Sequence, residues 1–256
     1  MSTPEKRTPS VIPESPNNLQ IREALRETLA KAYRNYVELY LTGGTAAAVY
    51  AGETRPLSLD LDFFVDPGAK EKIAAVFGGE FRYFGEKKLF KSDKLVAAAS
   101  NGVDLDFIAE QNIVPDEKTP EQKIRLHLSK LAKDKSLERN FMGENVKVLP
   151  PEMVVIAKLF AGRGIELNKY DLADSEAIIK NGIMRLDLFK RAALEIAGND
   201  ETIRRLVQNR LLTALLKLKP SREVQELIRV TGEIIGNPDI EEITDSIRRR
   251  TIPEED

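Results

Sequence analysis

The sequence predicts an α/β (α+β) fold in which a small mixed sheet with helices is followed by an all-helical C-terminal region. Two observations carry this. Short apolar runs of strand length, separated by glycine, proline and Asn-Gly turns, lie between residues 37 and 149. Beyond Pro150-Pro151 the apolar residues recur at helical spacing almost to the end. With 256 residues, 42% of them hydrophobic, the chain can form a real core as one large domain or two modest ones. The expected organisation is a disordered tail over 1–18, an α/β unit over 19–149 and a helical unit over 150–256.

The tail carries four prolines among polar residues, a composition that cannot bury enough apolar surface to order itself. Leu19 to Tyr36 repeats apolar positions at helical spacing and should pack beside a first strand, Val37 to Leu41. Gly43-Gly44 then opens a short helix, Thr45 to Ala51. Ser58 to Phe64 reads as the second strand, stopped by Asp66-Pro67-Gly68. A helix over Ala69–Phe77 ends at Gly78-Gly79, and strands Lys94–Ala99 and Val103–Ala109 join around Asn101-Gly102, a strong hairpin signal. Thr119-Pro120-Glu121 combines a cap, a first-turn proline and a first-turn acid, which predicts a helix to about Lys133 carrying His127. Glu144 to Leu149 is the last expected strand. Helices follow over Glu152–Gly162, Tyr170–Lys180, Leu186–Ala197, Glu201–Leu218, Ser221–Ile235 and Ile240–Arg249.

Asp60 and Asp62 stand two apart in an apolar run. In a strand they point to one face, ~6.6 Å apart along the chain, while Leu59, Leu61, Phe63 and Val65 take the other. Aspartate is disfavoured in strands, so the pair calls for a reason. Two aligned carboxylates repel unless positive charge separates them. A divalent cation, Mg²⁺ or Mn²⁺, suits them, because hard cations take oxygen ligands and keep waters and substrate phosphates in their shell. A glycine-opened helix just upstream presents free N–H groups to an anion. One part would hold phosphates and the other the metal that bridges them.

Composition narrows the chemistry. The chain has no cysteine and one histidine, His127, which excludes disulfides, thiol catalysis and Cys- or multi-His metal sites. No apolar run approaches the ~18 residues of a membrane span, and the N-terminus lacks the apolar core of a signal peptide, so a cytoplasmic location is expected. A net charge of −2 gives no global nucleic-acid footprint. Residues 183–222, with nine Lys or Arg against four Asp or Glu, and the cluster Arg248–Arg250 are local basic candidates for an acceptor surface.

Gly43-Gly44-Thr45-Ala46, Arg55, Ser58 and Asp60-Leu61-Asp62-Phe63 closely resemble the motif of the nucleotidyltransferase superfamily of the DNA polymerase β type, and within it the AbiEii-like toxin branch. The resemblance is dense over residues 41–66. It implies that Gly43, Gly44, Thr45, Arg55 and Ser58 bind a nucleoside triphosphate and that Asp60 and Asp62 hold metal. It also implies a third carboxylate on a strand of the form Val103-Asp104-Leu105-Asp106-Phe107, acting as base and metal ligand. Asp104 has the better flanking pattern, Asp106 shares its face, and both stay candidates. A looser echo of the family places Lys158 on the triphosphate, with Asp171, beside Asp174, orienting Lys158 or Arg163. The implied activity is transfer of a nucleoside monophosphate from an NTP to a hydroxyl of RNA, tRNA or protein. A role as the toxin partner of a cognate antitoxin is implied with it. The competing reading is a catalytically inactive nucleotidyltransferase-fold binding or antitoxin module.

Overall fold

The structure, a computed structural model, describes residues 16–52, 57–86, 90–114, 123–164 and 169–234. Most of the 1–18 tail, Arg55, residues 119–122 of the expected helix, the helix over 240–249 and the Arg248–Arg250 cluster lie outside these residues.

The order is α1 (Pro16–Arg34), β1 (Tyr40–Leu41), α2 (Gly43–Ala51), β2 (Asp60–Phe64), a 3-10 turn (Pro67–Ala69), α3 (Lys70–Phe77), β3 (Arg82–Glu86), β4 (Phe90–Ala98) and β5 (Asp104–Ile113). Then come β6 (Ile124–His127), α4 (Lys130–Lys135), β7 (Leu137–Phe141), β8 (Glu144–Val148), α5 (Pro151–Ala161), α6 (Asp171–Lys180), α7 (Leu186–Ala197), α8 (Glu201–Leu215) and α9 (Arg222–Gly232). The strands form one mixed sheet in the order β3-β4-β5-β2-β1-β8-β7, with β6 paired to the far half of β5. β2 runs parallel to β5, and β1 runs parallel to β8; the other pairs are antiparallel.

The fold class is as the sequence predicts, but the sheet is larger. β3 and β7 were not expected, and residues 124–127 form a strand where a helix was anticipated. The reason is legible in burial. Ile124 and Leu126 are buried while Arg125 and His127 are exposed, a period of two that suits pairing with Glu110–Ile113. His127 therefore sits on an edge strand. The helix that does form nearby is short and begins at Ser129, whose hydroxyl accepts from Ala132 N at 3.1 Å.

One sheet face is apolar. Leu61 and Phe63 pair with Leu105 and Phe107, the rings of Phe63 and Phe107 lie 5.9 Å apart, and Phe77 of α3 reaches within 4.3 Å of Phe107. The helices after Pro150 share this hydrophobic cluster: Leu159, Phe160, Phe189, Val207 and Leu211 are fully buried in the same contiguous core as Phe63. Polar ties connect the two parts of the chain. Tyr50 at the end of α2 donates to Leu149 O at 2.6 Å, and Asn181 after α6 donates to Tyr50 O at 2.9 Å.

Burial pushes the Tyr50 phenol well above its ordinary pKa, so it stays a donor across the physiological range. Tyr50→Phe would leave a carbonyl at the sheet-to-helix junction unpaired, at a cost of about 1–3 kcal/mol. Urea unfolding should show this loss with an unchanged m-value.

Candidate active site

The parallel register of β2 and β5 sets Asp60 beside Asp104 and Asp62 beside Asp106, so four carboxylates share one sheet face. Beyond them, Phe64 and Ile108 continue that face as a buried apolar floor. On the other side of β2, β1 delivers the chain to the same place. Thr42 N donates to Asp62 O at 2.9 Å, and the chain then turns into α2 at Gly43.

Gly43 has φ +66°, and a β-carbon placed there would lie 1.9 Å from Asp62 Oδ2. Both facts demand glycine: the left-handed backbone, and a carboxylate resting against the α-carbon. The first turn of α2, with its unpaired N–H groups, thus starts where Asp62 ends. Gly44 already belongs to the helix and has no positive φ.

Part of this surface forms one wall of a cavity of about 250 Å³, which Asp60 and Asp62 line and Asp104 and Asp106 do not. Thr42, Gly43, Gly44, Ser58, Asp60 and Asp62 make its polar end, and Phe64, Ile108, Val154, Ala157 and Ala161 line an apolar side. The remaining wall comes from the α5–α6 junction through Lys158, Arg163, Lys169, Tyr170 and Asp171, with Gln111 of β5 also reaching in. The alternation of polar sheet and apolar α5 suits a ligand with a charged end and an apolar end.

Charge is concentrated at the polar end. Burial, and then the neighbouring charges of Asp60 and Asp106, push the Asp62 carboxyl up to about 7; Lys94 and Lys158 pull in the opposite direction. Ser58 donates to Asp60, and Lys94 on β4 forms an ion pair with Asp106. Lys158 is itself engaged, with Nζ 2.7 Å from Asp174 and 3.3 Å from Asp171, while Arg163 Nε lies 2.7 Å from the second Asp171 oxygen. The end of α5 that carries Lys158 is capped from a distance: Arg210 of α8 donates to Phe160 O at 2.9 Å and to Ala161 O at 3.4 Å. At the other end of α5, Glu152 accepts from Arg185 N at 2.6 Å.

Of the residues singled out in the sequence, Gly43, Gly44, Ser58, Asp60, Asp62, Lys158 and Asp171 meet at this cavity. Thr45 does not line it; it is buried, and its hydroxyl donates to Asp60 O at 3.4 Å, so it braces β2 from behind. Asp104 is exposed at the start of β5, whereas Asp106 is half-buried and close enough to Asp62 to raise its pKa. Sequence reasoning passed over Lys94, Gln111 and Tyr170. Lys94 was findable, because Lys94, Val96 and Ala98 alternate on one face of β4.

The donor set fits a hard divalent cation: Asp60 and Asp62 face the cavity with hard oxygens, and burial first, then the charges of Asp60 and Asp106, make a bare Asp62 carboxylate costly. Among the described residues, no group of three or more His, Cys, Asp or Glu stands ready as a complete ligand shell. The remaining ligands of such an ion would come from water and substrate.

Between about pH 4 and pH 7 the folded chain keeps a proton on Asp62 that the unfolded chain, with an ordinary carboxyl near 3.8, releases. Stability therefore falls as pH rises through that window. In EDTA, Asp62→Asn should melt on the order of ten degrees above wild type at about pH 8, from ~4 kcal/mol at the usual ~2–4 °C per kcal/mol, and at the wild-type temperature at about pH 4. Gly43→Ala should lower the melting temperature and displace the Asp62 carboxylate. Wild-type stability in that variant would show that the close approach is not required.

No protein-family model matches the chain, and no curated protein sequence does. Several of the solved structures it is similar to are described as nucleotidyltransferases or adenylyltransferases. A nucleotidyltransferase candidate from Thermotoga maritima aligns at 16% identity and a TM-score of 0.45 over 63% of this chain and 94% of that one. A nucleotidyltransferase-like antigenic protein from Paracoccidioides brasiliensis aligns at 16% identity and 0.40 over 83% and 98%. The lincosamide antibiotic adenylyltransferase LnuA aligns at 16% and 0.37 over 61% and 94%. Likenesses at this level leave the chemistry to be argued from the site itself.

Proposed function

We propose that the chain is a metal-dependent nucleotidyltransferase that moves a nucleoside monophosphate from an NTP to a hydroxyl acceptor and releases pyrophosphate. The observation that carries this reading is the seating of Asp62 against the α-carbon of Gly43, on a strand whose register sets Asp62 beside Asp106 and Asp60 beside Asp104. A carboxylate pair and a glycine-opened helix N-terminus are thereby held at one point, as a metal-bridged triphosphate needs.

In the reaction, the acceptor oxygen bonds to the α-phosphorus, the bond from that phosphorus to the α,β-bridging oxygen breaks, and pyrophosphate carries away the electron pair. The acceptor's proton passes to a carboxylate of β5. Asp106 is assigned that role in preference to Asp104, since it faces Asp62 and is the less exposed. Asp60 and Asp62 would hold Mg²⁺ or Mn²⁺, which supplies charge neutralisation to the triphosphate. Gly43 and Gly44 open the backbone toward the phosphates, and Lys158 donates toward them from the α5 wall. Positioning and charge neutralisation account for most of the barrier reduction in phosphoryl chemistry, which agrees with a cavity whose described lining contains neither His nor Cys. From the resemblance over residues 41–66 we extend the proposal to a cytoplasmic toxin acting on RNA, tRNA or protein, countered by a cognate antitoxin. The division into a catalytic unit over 19–149 and a helical unit over 150–256 belongs to the same proposal.

Incorporation of labelled nucleotide into RNA and into protein, assayed in parallel, tests the reading alongside NTP binding. Asp60→Asn and Asp62→Asn should lose metal-dependent NTP binding and transfer together. Asp106→Asn should lose transfer by at least ~100-fold with binding largely kept, because a base acts in the transition state and hardly in the ground state. Asp104→Asn should stay active. If wild type gives no incorporation above the protein-free control, and the four variants do not differ from it, the inactive binding module takes the place of the enzyme.

A further inference from the structure

The centre contains a cation of its own. Lys94 lies on β4, an interior strand of the sheet between β3 and β5. The β4–β5 pairing shifts register between Asp93 and Lys94, which sets Lys94 opposite Ile108, one step along the strand face from the Val96–Asp106 pair. Asp93 turns to the opposite face, where it meets Lys70 of α3 at 2.7 Å. Lys94 is thus committed to the carboxylate face, its ammonium paired with Asp106 and 5.4 Å above the Phe84 ring on its other side. Its side chain is only 22% exposed, so the pair is not a loose surface contact of the kind that contributes little.

We infer that the ammonium of Lys94 occupies, at Asp106, the place a second divalent cation would take, so that the centre binds one divalent ion at Asp60 and Asp62 rather than two. This inference rests on the nucleotidyltransferase reading and concerns how that site is charged. Lys94 already meets the charge of Asp106, so the carboxylates that face the cavity without a cation of their own are Asp60 and Asp62. Lys158 supplies no surplus, because Asp171, Asp174 and Arg163 already balance it. A second ion at Asp106 would have to break a partly buried ion pair and meet a fixed positive charge at close range. Lys94 is accordingly a charge-positioning residue. It holds Asp106 and the acceptor side of the site in place without metal.

The test counts ions directly. Mn²⁺ is titrated into the full chain with a non-hydrolysable α,β-methylene NTP and free Mn²⁺ is read by electron paramagnetic resonance, with Asp62→Asn measuring binding elsewhere on the chain. Wild type and Lys94→Arg should bind one site-specific Mn²⁺ per chain, and Lys94→Met should bind two. Lys94→Gln serves as a second neutral variant if Lys94→Met does not fold. Two ions in wild type, or one in a folded neutral variant, overturn the inference and leave the nucleotidyltransferase reading intact. No site-specific ion in wild type overturns both.

Discussion

The contact between Asp62 and Gly43 is the constraint on which the rest of the site depends. Two separate segments, a strand and a helix start, must bring a carboxylate and a bare α-carbon into direct contact, and the sheet is arranged to make them do so. β1 is only two residues long, yet it hydrogen-bonds to β2 on one side and to β8 on the other. That short bridge fixes where the chain must turn. A longer strand would carry Thr42 past Asp62 and start the helix elsewhere. The turn therefore has to come at residue 43, with positive φ, where only glycine combines conformational freedom with the space required.

Burying a carboxylate among other acids is unfavourable to folding, and Asp62 shows it: burial chiefly, and then Asp60 and Asp106, raise its pKa. The apolar side of the same strands offsets that cost. Directly behind the carboxylates Phe63 stacks on Phe107 and Phe77 packs tilted against Phe107, with Leu61 and Leu105 buried beside them. Fully burying side chains of this size contributes about 1.5–3 kcal/mol each, so the strand pair can bear repulsion on its other face. A strand's period of two separates the two tasks residue by residue.

That separation is why so much of the site was legible in the sequence. Asp60-Leu61-Asp62-Phe63 states its two faces outright, and Gly43-Gly44 marks a turn whose first residue, Gly43, leaves no room for a side chain. The third carboxylate was not legible to the same degree. Asp104 and Asp106 share a face and a pattern, and only the inter-strand register, with Lys94 on the next strand, distinguishes their surroundings. Such register arises from pairing partners far apart in the chain, which local spacing does not encode. The misread helix at residues 119–133 has a local cause. Thr119-Pro120-Glu121 is a good helix start, and the alternation in Ile124–His127 is four residues long, too short to outweigh it without knowing that β5 runs on to Ile113. The edge strands β3 and β7 were missed because exposure leaves little apolar pattern to read: Arg82, Tyr83 and Phe84 of β3, and Glu138, Arg139 and Asn140 of β7, are all exposed.

The helices after Pro150 complete the cavity rather than only covering it. Lys158 is held by two acids of α6, and its own helix is anchored at both ends: Arg210 of α8 binds its last carbonyls, and its first turn is tied to the start of α7 through Glu152. Because Asp171, Asp174 and Arg163 already match its charge, Lys158 offers an incoming anion little net attraction. What it offers is a fixed direction. A buried ammonium with two carboxylate partners has few orientations left, and a donor pre-aimed across a cavity costs little to organise when the ligand arrives. On the proposed reading, net attraction would come from a cation held by Asp60 and Asp62 and from the first turn of α2. The division of labour is consistent across the cavity: the sheet wall supplies charge, and the helical wall supplies geometry.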